Sequence, residues 1–208
     1  GFVRSVELGF ALPPGATTAV PTIAYRWEKK SAYVKVAQKV GSSWVRDTVA
    51  SGVSAGSVYH VHLAFDGVAD PAVAFIQDFD GGRRLVLASR KGATWTVGPL
   101  PDEPAVFQPN TLQFAELAFN PARGDFSVVG QHLGPNGLVS QVRYCEGNVG
   151  VWSCLPDPLF QWDGLWQAGL SVGVREDGAI AVGTINGNTL SVLIRDPASL
   201  AWATDFVD

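Results

Sequence analysis

Residues 61–100 read VHLAFDGVAD PAVAFIQDFD GGRRLVLASR KGATWTVGPL. Four short apolar runs stand in this stretch: His62–Phe65, Ala72–Ile76, Leu85–Ser89 and Thr94–Val97. Each is of strand length and rich in β-formers, and each break between runs carries Gly, Pro or Asp. Runs such as Ala72–Ile76 do not alternate apolar with polar. They read as strands covered on both faces, which is the situation of a sheet held between two neighbouring sheets. Four hairpin-linked strands of this kind make one blade of a β-propeller.

The rest of the chain repeats the unit. Trp44, Trp95, Trp152 and Trp202 mark a period, with spacings of 51, 57 and 50 residues. Val6–Phe10 (VELGF) aligns with Val61–Phe65, and Ala115–Phe119 (AELAF) follows the same pattern. Pro21–Tyr25 aligns with Pro71–Phe75, and Tyr33–Ala37 with Arg84–Ala88. The fourth unit offers Ser171–Val174, Ala179–Gly183, Leu190–Arg195 and Ala201–Phe206. Helical periodicity is absent at useful length. The expectation is one all-β domain over residues 1–208, a β-propeller of four four-stranded antiparallel blades. The repeats span about residues 1–50, 51–100, 101–156 and 157–208. Two forms of closure stand open. The four blades close alone, the form preferred by a small margin, or another chain or segment completes a ring of six to eight.

Composition narrows the function. The 208 residues carry 15 Lys and Arg against 19 Asp and Glu, a net charge of −4. That balance argues against a nucleic-acid binder, which shows a basic face. The one local basic cluster, Arg83, Arg84, Arg90 and Lys91, reads as a solvated strand edge. No apolar run approaches the ~20 residues of a membrane helix, and no signal peptide is evident. The chain contains no Met and is expected to be processed or an excerpt of something longer. Cys145 and Cys154 fall on either side of a hairpin turn near Asn148–Gly150. They are expected to form a cross-strand disulfide, which implies an oxidising compartment. A metal pair is the alternative, and it would need more His or Cys nearby.

The units resemble a repeat common in bacterial surface and secreted proteins: an apolar strand, Asp, a Gly turn, Pro-x-Ile-Ala-Tyr, a Leu-x-x-Ala strand and Gly-x-x-Trp. The match here runs through Leu63–Asp66, Pro71–Phe75, Leu85–Ala88 and Gly92–Trp95. The first unit matches through Pro21–Tyr25, Ala37, Gly41 and Trp44. Ser89–Trp95 (SRKGATW) also resembles the Asp-box of sialidase-like propellers. It is one residue shorter and has no Asp. The resemblance implies propeller architecture; an Asp-box is a structural turn and does not imply sialidase activity.

Three groups of residues are candidates for function. Glu7, His62, Glu116 and Ser171 align at the start of the first strand of each unit, and that strand lines the central channel of a propeller. Four polar groups would then face one axis as a ligand or cation site, with carboxylates and imidazole shifting one another's titration. Trp27, Phe160, Trp162 and Trp166 fall outside the repeat pattern and are candidates for a binding surface in loops. The four repeat tryptophans are expected to pack between blades. No zincin motif is present, and no catalytic residue, metal or cofactor is assigned.

The leading expectation is a non-enzymatic binding module, secreted or surface-displayed, taking a glycan or a protein partner, with a homo-oligomer as one way to complete the ring. The alternatives are a glycoside hydrolase of sialidase-like type and a structural subunit of an extracellular assembly.

Overall fold

A computed structural model describes residues 1–54, 58–79, 82–100, 112–133, 139–163, 169–186 and 189–207. The described residues form four antiparallel sheets and no helix. Blade 1 holds β1 (Phe2–Ala11), β2 (Val20–Glu28), β3 (Ser31–Val40) and β4 (Ser43–Ser54). Blade 2 holds β5 (Val58–Phe65), β6 (Pro71–Phe79), β7 (Gly82–Lys91) and β8 (Thr94–Pro99). Blade 3 holds β9 (Leu112–Asn120), β10 (Asp125–Leu133), β11 (Val139–Asn148), β12 (Val151–Cys154) and β13 (Phe160–Asp163). Blade 4 holds β14 (Leu170–Val174), β15 (Ile180–Asn186), β16 (Thr189–Arg195) and β17 (Trp202–Val207). Apart from β13, strands pair in chain order within each blade, as hairpins with short turns require. Gly41 and Gly92 open the equivalent two-residue β3–β4 and β7–β8 turns at φ of 58° and 61°, a region open to Gly without steric cost.

Side-chain alternation explains the apolar runs. In blade 2, Val73, Phe75, Val86 and Ala88 pack into a core shared with Ala24, Val34 and Val36 of blade 1. Their neighbours Ala72, Ala74, Ile76, Leu85 and Leu87 pack the other way, against Ala115, Leu117, Phe126 and Val128 of blade 3. Blade 3 in turn sends Val129, Val142 and Tyr144 against Ile180 and Val182 of blade 4. Each interior sheet is therefore covered on both faces, and each strand position serves one of two cores.

Cys145 faces Cys154 across the β11–β12 pair and is bonded to it. The disulfide lies on the blade 2 side of blade 3, with Cys145 fully buried.

Blade 3 departs from the expected four strands. Both β12 and β13 pair with β11. The first takes Cys145–Asn148 and the second Val139–Val142. Two short strands thus share the edge that one long strand fills elsewhere.

The inner strands pack side by side in the order β1, β5, β9, β14. No comparable packing joins β14 back to β1 among the described residues. The four blades form an open arc and not the closed four-bladed ring, so the preferred form of closure is not the one seen. Its physical sign is on blade 1. Val61 and Leu63 of β5 are each 7% exposed beneath blade 1, whereas the matching Val6 and Leu8 of β1 are 60% and 56% exposed.

Candidate functional site

The inner strands lie beside one another without a ladder between them, so side chains make the connections. Two are alike. The Val61 N–H donates to Ser5 Oγ at 3.0 Å, and the Leu63 N–H donates to Glu7 Oε2 at 2.7 Å. β1 is thereby tied to β5 at alternate residues. Both strands carry a bulge beside these contacts, at Ser5 between Arg4 and Val6 and at His60 between Tyr59 and Val61. Ser5 and His60 take φ of 49° and 40°, unusual for residues with a Cβ. A bulge bends the strand and re-aims the side chains beyond it. In both strands the aligned polar residue, Glu7 or His62, stands just beyond the bulge.

Those residues converge. His62 Nδ1 lies 3.2 Å from Glu7 Oε2 and 3.1 Å from Glu116 Oε2. Three blades meet in one carboxyl–imidazole–carboxyl group, its side chains between 21% and 28% exposed. Register gives the direction. Glu7 stands opposite Ala24, on the face turned to blade 2. His62 stands opposite Ala74, on the face turned to blade 3, and Glu116 opposite Val129, on the face turned to blade 4. Each polar residue reaches from its own blade toward the next.

Burial disfavours charge on all three. It raises Glu7, against the pull of the Leu63 hydrogen bond. It raises Glu116 to about 7, with the neighbouring Glu7 charge adding to the effect. It lowers His62, offset in part by a hydrogen bond with the Leu117 backbone. A neutral Glu116 carboxyl donating to a neutral imidazole satisfies these preferences together. The three groups share protons and titrate as a unit. Among the described residues, no group of three His, Cys, Asp or Glu side chains is arranged to hold a metal ion.

Ser171, the fourth aligned residue, stands apart. It pairs with Gly183, on the face opposite to Val172 and Val182, which pack toward blade 3. It therefore faces away from the other blades. Trp27 stacks on Tyr33 at 5.3 Å between ring centroids, and Lys35 Nζ stands 5.3 Å above its indole. With Val3, Val6, Ile23, Tyr25, Trp44 and Arg46 it lines an open groove of about 510 Å³ on the uncovered face of blade 1. Phe160 and Trp162, loop residues in the sequence pattern, belong instead to β13 and pack against the core shared by blades 3 and 4. Trp166 lies outside the described residues.

The repeat tryptophans behave alike, with one informative exception. Trp95 packs on the core between blades 1 and 2, Trp152 on that between blades 2 and 3, and Trp202 on that between blades 3 and 4. Each faces the preceding blade. Trp44, on the first described blade, is 39% exposed.

A second polar group is not evident in the repeat pattern. Glu146 receives hydrogen bonds from Tyr144 Oη at 2.7 Å and from Arg195, and forms an ion pair with Arg123 at 2.6 Å. Burial alone would raise Glu146, but the bonds from Tyr144, Arg123 and Arg195 outweigh it and hold the carboxyl low. Burial pushes the Tyr144 hydroxyl up to about 12. The i, i+2 spacing of Tyr144 and Glu146 puts both on one face of β11, which is visible in the sequence; Arg195, on another blade, is not. The group ties blade 3 to blade 4. The Arg123 guanidinium in this group bonds Asp125 as well.

No protein-family model matches the chain, and no curated protein sequence does. Among solved structures it is similar to the Hadza microbial sialidase Hz136, with a TM-score of 0.64 and 13% sequence identity. The match covers 98% of this chain and 46% of that one, so the chain spans less than half the length of the sialidase. At that identity the likeness is one of fold, a propeller-like arrangement of four-stranded antiparallel sheets.

Proposed function

We propose that the chain is a non-enzymatic binding module, secreted or surface-displayed, whose ligand is a glycan held at the inner-strand group of Glu7, His62 and Glu116. The observation that carries the reading is their convergence from three separate blades. Carboxylates and an imidazole supply acceptors and a switchable donor, a set suited to sugar hydroxyls. The engagement of both carboxyl groups by one ring nitrogen supports binding over catalysis, because neither is left alone across an open space from the other. The disulfide is compatible with an extracellular setting, and no helix of the described residues is long and apolar enough to cross a membrane.

The test is a glycan array probed with the chain, followed by recovery of the bound sugars. The reading expects one class of glycan to be retained and released intact, with Glu7→Gln and His62→Ala each weakening retention by about tenfold or more, the effect of losing a hydrogen bond to a charged group. Retention unchanged in both variants would overturn it.

One observation favours a second reading, a glycoside hydrolase. A carboxyl raised to about 7 beside a second carboxyl is the state of a general acid at neutral pH. That reading expects sugar cleavage which Glu116→Gln abolishes.

A further inference from the structure

We infer that the inner-strand group has a second layer, a stacking platform made by His60 and Phe114, and that the two layers together select an uncharged pyranose sugar. The ring lies on the platform and its hydroxyls reach Glu7, His62 and Glu116. The inference rests on the glycan reading and adds to it the residues that hold the ring and the class of sugar.

The two layers are aligned. Ser5, His60 and Phe114 stand two residues before Glu7, His62 and Glu116 in their units. The contacts between inner strands repeat at the same interval. Ser5 accepts the Val61 N–H, and Glu7 accepts the Leu63 N–H. His60 meets Phe114 with 4.5 Å between ring centroids, and His62 meets Glu116. Two residues of strand are about 7 Å, so the rings lie within one sugar's reach of the carboxyls.

His60 is the extra residue of the β5 bulge. Tyr59, before it, packs on the core between blades 2 and 3. Val61, after it, packs on the core between blades 1 and 2. His60 serves neither core. It is exposed, and its backbone is held at a φ of 40° that residues with a Cβ rarely take. Strain of this kind persists where the surroundings impose it, and it gathers at ligand sites. Phe114, half-buried, backs the imidazole from blade 3 with 53° between the ring planes. A sugar has polar edges and an apolar face of C–H groups. Sites that hold one meet the edges with hydrogen-bonding groups and the face with an aromatic ring. Both kinds of group are present here, one layer apart.

Charge sets the class. Burial and the Arg83 charge lower His60, which leaves its ring uncharged at neutral pH. Glu7 and Glu116 stand in the layer beside it. A carboxylate on the sugar adds a like charge to that partly buried group. The arginines at this end of blades 1 and 2 are already engaged: Arg4 and Arg26 pair with Glu28, and Arg83 pairs with Asp78.

The experiment is an array of immobilised gluco-, galacto- and mannopyranosides beside the corresponding uronic acids, at neutral pH. It is probed with the whole chain and with His60→Asn, His60→Phe and Phe114→Ala, each checked for an unchanged urea midpoint. Asparagine tolerates the left-handed backbone and stays polar but has no ring. Phenylalanine keeps a ring and loses the nitrogens. The uncharged pyranosides should be retained over the uronic acids. His60→Asn and Phe114→Ala should each weaken retention about fivefold or more, the effect of losing one stacked ring. His60→Phe should retain the sugar nearly as the wild type does. Retention by His60→Asn equal to that of the wild type, equal weakening in His60→Asn and His60→Phe, or a preference for the uronic acids would each overturn the platform and leave the glycan reading in place. An array on which nothing is retained removes both.

Discussion

Replacing Glu116 by Gln should flatten the pH dependence of folding stability between pH 4.5 and 7. The folded protein holds the Glu116 proton until about pH 7, whereas the unfolded chain releases it near the usual 4.5. Between those values the folded state binds more protons, so stability falls as pH rises. The contribution is fully present below 4.5 and gone above about 7. At ~1.4 kcal/mol per pH unit the gap is worth about 3 kcal/mol, an upper bound for a group that shares its proton and is partly screened by solvent. Glu7, also raised by burial, acts in the same direction. His62, lowered by burial, opposes them as pH falls below 6.5, where the unfolded imidazole takes a proton that the folded one resists. Glutamine keeps the size and the polarity of the protonated carboxyl and has no proton to lose. Urea unfolding of both proteins at half-unit steps from pH 4.5 to 8 measures the difference. The variant should gain on the wild type by about 1–3 kcal/mol from the acid to the neutral end. Parallel curves would refute the burial and pairing of this carboxyl.

Phe75→Ala removes a fully buried ring from the junction of blades 1 and 2 and should cost about 3–5 kcal/mol in denaturant unfolding. Reducing the Cys145–Cys154 disulfide opens a short loop, with the cysteines nine residues apart, and should cost about 2–3 kcal/mol, read as a lowered melting temperature with reductant. Glu146→Gln leaves Arg123 and Arg195 without their shared carboxylate and should cost about 2–4 kcal/mol in the same unfolding assay. The loss should shrink as pH falls through the range where the wild-type carboxylate itself takes a proton, because Glu146 is held low.

The blades were legible because the sequence repeats and because Ala72–Ile76 is apolar at every position, a pattern that a twice-covered strand explains. The row of Glu7, His62 and Glu116 was legible for the same reason: aligned units place aligned residues at one radius. The bulges at Ser5 and His60 were not, since neither residue marks a bulge as Gly would. β13 was hidden by its length and its pairing. Four residues, Phe160–Asp163, carry too little pattern to mark a strand, and they pair with β11 rather than with β12, the strand before them in the chain. Phe160 and Trp162 therefore read as loop aromatics when they are packing residues. Trp27 stays outside the core for a reason that composition does not show. It lies on a face of blade 1 that no other described blade covers. The same fact separates an open arc from a closed ring, for an apolar blade face has the same sequence whether or not another blade covers it.

The carboxyl–imidazole–carboxyl group exists only if blades 1 and 3 meet across blade 2 at a common axis. The most direct measurement is the carboxyl titration of Glu116 by nuclear magnetic resonance in the wild type and in Glu7→Gln. The structure predicts a midpoint near 7, raised chiefly by burial, that falls in part when the Glu7 charge is removed. A midpoint near 4.5 in the wild type, or one indifferent to Glu7, would contradict the convergence of the inner strands.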